Sequence, residues 1–495
     1  MDIILFTCVS GIFFQRSIGA YQLAHFLRKH GYSVQVIDFT DYFTSDELIS
    51  VIEKFMVPET LAVGVSTTFY TANEIKPKFI HNDRQKFDFL ELPENIISII
   101  EYIKNKNQNI KVILGGAKSE SGKNIPNVDV VIHGYAEDKL LDYLNSLPNN
   151  PKKKKQQKFL IEEHTTSGPK IISNDPLAKS FSIEELDHRF THNDIVLPNE
   201  VLPLEVSRGC IFKCSFCAFP LNGKSKLDYL RDPNLIKDEL IYNYETFGTT
   251  NYFLSDDTFN DSTTKIEKIH RVITDLPFKI NFTTYLRLDL LNAHKEQISL
   301  LQEMGLASPF FGIESLNQRS ATTIGKGMNV NRAKEFLLEL HYDHWKEQIP
   351  ITCSFIIGLP HETKESIQQT YEWIKNTPIN SVFFPLALTS KTYYKSEFNT
   401  NYKDYGYQLD TATDYWSNEH FDYTTANNLA EQFNQELMRS EDYPSSWFLM
   451  VLLNHGYSLE EARKTKIKDL NYSKIMRQRQ QSIKIYKQKI LRINT

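Results

Sequence analysis

Cys210, Cys214 and Cys217, in the stretch SRGCIFKCSFC over residues 207–217, place three of the chain's five cysteines within eight positions. Thiols at that spacing can converge on one metal centre. Structural zinc takes four protein ligands, and the two remaining cysteines, Cys8 and Cys353, stand alone inside apolar runs. A cuboidal 4Fe-4S cluster has four irons, each needing one outside ligand, so three thiolates leave one iron open to a substrate or cofactor. The plain alternative is a chance grouping or a redox-active trio.

Such a loop needs a rigid frame. From residue 201 the chain alternates apolar runs (VLPLEV, NYFLSDD, KINFTTYLRLD, SPFFGIES, ITCSFIIGLP, SVFFPLAL) with amphipathic helical segments. Six strands with crossover helices predict an incomplete (β/α)6 barrel over 201–390, with its chemistry at the carboxyl ends of the strands. The cysteine loop follows the first of them. Ahead of it, DIILF, SVQVIDF, LAVGVS, IKVILGG and VDVVIHG alternate with helical segments over 1–147. These runs predict a five-stranded, flavodoxin-like parallel sheet covered by helices, making the whole an α/β protein. Residues 148–200 read as a linker and connector that opens with PNNPKKKKQQK and contains a candidate strand, KFLIEEH. Residues 391–495 read as a mainly helical C-terminal region whose basic end, YSKIMRQRQQSIKIYKQKILR, predicts a solvated helix. Tyr393, Tyr394, Tyr415 and Trp416 are pocket or core residues of that region, a choice the sequence leaves open.

Composition narrows the setting. A chain of 495 residues with 41% apolar content supports two or three domains with real cores. A net charge of -5 and a pI near 6.3 give no reason to expect nucleic acid or an anionic membrane as partner. No apolar run reaches membrane-span length, and MDIILFTCVSGIFF lacks the basic flank and cleavage site of a signal peptide. Five cysteines make a poor disulfide framework, so a reducing cytoplasm is the expected location.

The motif C-x3-C-x2-C, placed after the first strand of a βα series, resembles the signature of the radical S-adenosylmethionine superfamily. The resemblance implies that a 4Fe-4S cluster on Cys210, Cys214 and Cys217 binds S-adenosylmethionine, with Phe216 near the adenine. It implies that Ser255, Asp256 and Asp257 in FLSDDTF receive the methionyl amine, although the glycines relatives carry there are absent. It assigns Arg287 in YLRLD, and Glu314 and Ser315 in FFGIES, to the ribose and methionine contacts. Lys326 in IGKG would meet the carboxylate, and Gly358 in GLPHET would line the adenine.

A parallel-sheet domain ahead of such a core is similar to the cobalamin-binding branch of the superfamily. That likeness implies cobalamin contacts from Ser66 and Thr67 in VGVSTT, Gly115 and Gly116 in VILGG, and Gly134 and Glu137 in VIHGYAED. Where many cobalamin domains carry D-x-H-x-x-G, this chain reads FTCVSGIFFQ, so cobalt would be held without a histidine from below. The implied activity is hydrogen abstraction by a 5'-deoxyadenosyl radical followed by methylation of an unactivated carbon, with flavodoxin or ferredoxin as electron donor. The branch also holds ring-forming and rearranging enzymes. Methylthiolation of transfer RNA fits less well, because the first domain carries Cys8 alone. A cobalamin or redox sensor is the competing class, and the substrate is not legible.

Overall fold

The computed structural model describes residues 1–9, 15–69, 78–80, 84–86, 92–116, 119, 125–152, 162–164, 168–173, 183, 186–219, 221–389, 394–440, 445–466 and 470–493. Residues 153–158 of the basic linker and Tyr393 lie outside them.

The first unit contains β1 (Ile3–Phe6), α1 (Ile18–Lys29), β2 (Val34–Ile37), α2 (Ser45–Phe55) and β3 (Ala62–Ser66). A short antiparallel pair, β4 (Lys78–Ile80) and β5 (Arg84–Lys86), precedes α3 (Glu94–Lys106), β6 (Lys111–Gly115), β7 (Val130–Ile132) and α4 (Glu137–Ser146). Two further strands, β8 (Glu162–His164) and β9 (Lys170–Ser173), follow. Among the described residues the sheet has seven strands in the order β2-β1-β3-β6-β7-β9-β8, parallel except for β8 at the edge. The expected sheet of five is therefore extended by β9 and β8, drawn from the stretch read as connector. β9 pairs parallel with β7 and covers an edge that five strands would leave open.

Strand alternation divides this unit's interior. Ile3 and Leu5 face α1 and α4, whereas Ile4 and Phe6 face α2 and α3. Thr44 and Glu47 form a reciprocal cap that starts α2.

The second unit runs β10 (Leu202–Leu204), α5 (Pro233–Phe247), β11 (Asn251–Leu254), α6 (Thr263–Thr274) and β12 (Asn281–Leu286). It continues with α7 (Leu288–Ala293), α8 (Glu296–Glu303), β13 (Leu306–Glu314), α9 (Gln318–Thr323) and α10 (Val330–Glu339). It ends with β14 (Thr352–Ile357), α11 (Lys364–Lys375) and β15 (Asn380–Pro385). The six strands pair in parallel in sequence order without closing, which is the incomplete barrel the strand spacing predicts.

The C-terminal region comprises α12 (Glu397–Asn401), the hairpin β16 (Gln408–Asp410) and β17 (Tyr415–Ser417), α13 (Tyr423–Ser440), α14 (Ser446–Asn454), α15 (Leu459–Lys464) and α16 (Tyr472–Ile490). The final helix is not simply solvated. Ile483, Tyr486 and Ile490 are buried in the first unit's core beside α2 and α3, and the Asp38 amide donates to the Tyr486 hydroxyl at 2.9 Å. Its lysines stay outside, with Lys487 paired to Glu47 at 2.6 Å. Among the described residues, no helix is long and apolar enough to cross a membrane.

Candidate functional site

After β10 the chain enters a loop that folds back on itself. Arg208 N donates to Tyr229 O at 3.1 Å, Cys210 N to Leu221 O at 3.1 Å and Gly223 N to Cys210 O at 2.8 Å. Gly209 sits at φ +78°, and a Cβ there would stand 2.4 Å from Leu221 Cβ, so the fold-back requires glycine. Cys210, Cys214 and Cys217 are free and half-buried. Cys210 Sγ lies 3.2 Å from Thr258 Oγ1, Arg287 Nη1 donates to Cys214 Sγ at 3.4 Å, and Cys217 Sγ approaches Asn222 Oδ1 at 3.8 Å. Burial pushes the Cys217 thiol up to about 11, so a cationic metal centre is what would hold it as thiolate. Among the described residues, no three such side chains converge on a single ion. Three thiols on one loop could each supply a thiolate to one iron of a cubane, which would leave the fourth iron without a protein ligand.

Beneath the loop lies a fully buried charge tetrad. Lys265 Nζ is 2.6 Å from Asp261 and 3.4 Å from Asp256, and Lys224 Nζ is 3.5 Å from Asp261. The two lysines also donate to the loop itself, Lys224 to Arg208 O at 2.7 Å and Lys265 to Ser207 Oγ at 3.1 Å. Asp256 accepts from Val206 N, Ser207 N and Ser207 Oγ at 2.9, 3.1 and 2.6 Å. Its expected role toward the methionyl amine is corrected: the carboxylate is consumed in anchoring the entry of the cysteine loop. Ser255 N likewise donates to Leu204 O at 2.9 Å. Asp257 remains half-buried, and desolvation, with Asp256 beside it, pushes its carboxyl up to about 6.

Arg287 is held by Asp289, which accepts from Nε and Nη2 at 2.9 and 2.6 Å, while its guanidinium lies 3.6 Å from the centre of the Phe212 ring. It thus braces the cysteine loop, not a ribose pocket. Phe216 is partly buried against the main core.

Glu314 ends β13 at φ +68°. Its carboxyl folds back over Gly312, where a Cβ would stand 2.4 Å from Glu314 Oε1, and accepts from Ser354 Oγ at 3.1 Å. Lys326 Nζ is 3.7 Å from it and donates to Gly312 O at 2.7 Å. Burial raises the Glu314 carboxyl above its usual range and Lys326 opposes the shift. Ser315 is turned away to donate to Glu362 Oε1 at 2.6 Å. Gly358, at φ +97°, is needed because Trp416 Cη2 stands 2.2 Å from where its Cβ would be. The expected approach there of an adenine is replaced by protein: Trp416 is core, donating Nε1 to Leu386 O at 2.8 Å.

In the first unit, Thr67 is buried, with N and Oγ1 both donating to Gly115 O at 2.7 and 2.9 Å. Gly116, at φ +104°, lets Thr68 Oγ1 come within 2.6 Å of its missing Cβ. Ser66, Gly115, Gly116 and Gly134 are half-buried along the sheet's carboxyl edge, a small-residue rim compatible with a large flat cofactor. Glu137 is corrected: its carboxylate accepts from Arg208 Nη2 at 2.6 Å. That pair, with the Arg208 guanidinium 4.3 Å from the Tyr135 ring centre, brings the carboxyl ends of the two sheets together. Burial opposes the Arg208 charge, and Glu137 and Glu205 more than compensate.

Two α/β units thus meet at the carboxyl ends of their sheets, the second an open six-stranded barrel carrying the three-cysteine loop. Residues 204–374 match the Radical SAM superfamily, so this chain carries a radical SAM domain in its barrel. Its fold over 99% of its length is that of the cobalamin-dependent S-adenosylmethionine radical enzyme OxsB, solved with aqua-cobalamin (TM-score 0.63, 13% identity, 80% of that chain). It is likewise that of the radical methyltransferase TsrM from Kitasatospora setae (TM-score 0.61, 14% identity, 98% of this chain and 100% of that one). An uncharacterized methyltransferase of Pyrococcus horikoshii is 24% identical over 316 residues, 59% of this chain and 63% of the relative. The anaerobic magnesium-protoporphyrin IX monomethyl ester cyclase of Cereibacter sphaeroides is 26% identical over 287 residues, 53% of this chain and 44% of the relative. The chain thus matches less than two thirds of the length of these two curated relatives.

Sequence reasoning missed Arg208, Lys224, Asp261 and Lys265. Arg208 lies two residues before Cys210, and Asp261 and Lys265 stand four apart at the start of a helix, but nothing in those positions names their partners.

Proposed function

We propose that this chain is a cobalamin-dependent radical S-adenosylmethionine enzyme that methylates an unactivated carbon of its substrate. The reading rests on one observation above others: the three-cysteine loop meets the carboxyl edge of the first sheet through Arg208 and Glu137, leaving the two sheet ends to share one reaction space. When bound, a reduced 4Fe-4S cluster supplies the electron that splits S-adenosylmethionine into methionine and a 5'-deoxyadenosyl radical, and cobalamin supplies a transferable methyl.

The protein's part is placement and charge. Cys210, Cys214 and Cys217 would ligate three irons. Lys326 is the cation for the methionyl carboxylate, Glu314 an acceptor for the ribose hydroxyls, and Asp257 the carboxylate left for the amine, each inside a partly desolvated cleft where such contacts gain strength. Phe216 contributes apolar surface for the adenine. Ser66, Gly115, Gly116 and Gly134 form the rim for cobalamin, and Thr67 fixes that rim from behind. An electron donor of flavodoxin or ferredoxin type, in a reducing cytoplasm, completes the system. The likeness to a cyclase supports a second reading, ring formation on the same architecture without methyl transfer.

The test is anaerobic reconstitution with iron, sulfide, cobalamin and S-adenosylmethionine followed by reduction. Formation of 5'-deoxyadenosine supports the enzyme reading; cluster-loaded protein that forms none on reduction would point to a sensor. A cobalamin absorption band retained through gel filtration tests the first unit separately.

A further inference from the structure

We infer that the substrate presents a planar aromatic ring system, which lies on a floor of aromatic side chains inside the barrel. The inference rests on the proposed reaction for what happens to that substrate, not for the floor itself.

Strand alternation gives the barrel two faces. Tyr252, Phe282, Phe311 and Phe383 point outward into the core shared with the helices. Phe253, Tyr285, Phe310 and Phe384, on β11, β12, β13 and β15, point into the lumen. There the rings meet edge to face: Phe253 to Tyr285 at 5.6 Å and 84°, Tyr285 to Phe310 at 5.2 Å and 80°. Trp447, from the start of α14, stacks on Phe310 at 5.0 Å and 23° and meets Phe384 at 6.1 Å.

Helix α14 supports this layer from the other side. Ser446 N donates to Thr352 Oγ1 at 2.8 Å, the Ser446 and Ser308 hydroxyls lie 2.7 Å apart, and Thr283 Oγ1 meets Met450 Sδ at 2.9 Å. Gln15 of the first unit reaches the same Met450 sulfur at 3.0 Å, so both units contribute.

A barrel interior is ordinarily filled by packed side chains. Here the layer is not sealed. Phe253, Tyr285 and Trp447 are only half-buried, and Phe384, on the edge strand β15, is 40% exposed. Tyr285 is two residues before Arg287, which continues β12 in extended conformation, and Phe253 is two before Ser255, so the floor lies roughly 7 Å below the polar layer around the cysteine loop. Aromatic rings favour offset-stacked and edge-on partners, which a planar ring system offers and a saturated one of equal size does not.

The full-length protein is titrated by calorimetry with 2-naphthol and with decahydro-2-naphthol, a pair matched in skeleton and hydroxyl but not in planarity. Expected is at least tenfold tighter binding of 2-naphthol, weakened at least fivefold in Trp447→Leu and largely retained in Trp447→Phe. The Cys210→Ala variant should bind 2-naphthol as the parent does, which separates this inference from the cluster assignment: a cluster-loaded parent that binds 2-naphthol but forms no 5'-deoxyadenosine on reduction would sink the reaction and leave the floor. Cluster-loaded Trp447→Leu should bind S-adenosylhomocysteine as the parent does; a parallel loss would mean the rings serve the adenine and would overturn the inference. Equal affinity for the two naphthols, or unchanged 2-naphthol binding in both Trp447→Leu and Phe253→Leu, would overturn it as well.

Discussion

Arg208 Nη2 donates to Glu137 Oε1 at 2.6 Å, and the two side chains keep only 5% and 6% of their surface exposed. One residue belongs to the loop that carries the cysteines, the other begins the helix after β7. Arg208 also donates from Nε to Glu205 at 3.0 Å, and Gln22 on α1 donates to the other oxygen of Glu205 at 2.6 Å. A single buried guanidinium therefore sets how the cysteine loop meets the first sheet.

Breaking that pair leaves a charge stranded in the interior. Arg208→Met should destabilise the chain by about 3 kcal/mol, whereas Arg208→Met combined with Glu137→Met should recover a large part of the loss, because the desolvation penalty disappears with both charges. Chemical denaturation of the two single variants and the double variant measures the coupling; additive effects would show that the two groups do not depend on each other.

Each of Cys210→Ala, Cys214→Ala and Cys217→Ala should abolish retention of iron and sulfide after anaerobic reconstitution. Cys353→Ala, buried in β14, should leave the iron content unchanged. Full iron content in any of the first three would remove that cysteine from the ligand set.

Glu314→Ala should weaken S-adenosylmethionine binding about tenfold, with iron content unaffected, since the carboxylate lies between Ser354 and Lys326 and not on the cysteine loop. Equilibrium dialysis with the cluster-loaded variant is the measurement, and parental affinity would exclude Glu314 from the site.

Lys265→Met leaves Asp256 and Asp261 facing each other with only Lys224 near, all with side chains no more than 1% exposed. A loss of roughly 3–5 kcal/mol is expected, together with faster loss of iron, because Asp256 and Lys265 both anchor Ser207 at the entry of the cysteine loop. Iron release slowed or unchanged in this variant would separate the tetrad from the loop.

Burial pushes the Glu362 carboxyl up to about 8, against hydrogen bonds that favour its ionised form. The folded protein thus keeps this proton over a range where the unfolded chain has released it, so stability declines as pH rises from about 4.5 toward 8. Glu362→Gln keeps an acceptor for Ser315 and has no proton to lose. Its stability should fall less than the parent's between pH 5 and 8, by roughly 1–3 kcal/mol across the interval. Parallel pH curves for the two proteins would contradict a buried neutral carboxyl.

The cysteine spacing, the strand sequence of the barrel and the parallel first sheet were legible because each is local: a ligand set within one loop, and apolar runs whose length and flanks declare a buried strand. The roles of Asp256 and Asp257 were not. They are neighbours of one type on one strand end, and only the strand's alternation sends one carboxylate under the cysteine loop and leaves the other at the cleft. Glu137 read as a cofactor residue because its partner Arg208 stands 71 residues away, and Trp416 read equally as pocket or core because Gly358 stands beneath it only in the folded chain. The return of α16 to the first unit is of the same kind, since its apolar stripe says that it packs and not against what. Sequence pattern thus determined which segments are buried and which loop can ligate metal. Tertiary structure alone decided which charges meet, because burial is encoded residue by residue whereas pairing depends on where distant segments bring two side chains within hydrogen-bonding reach.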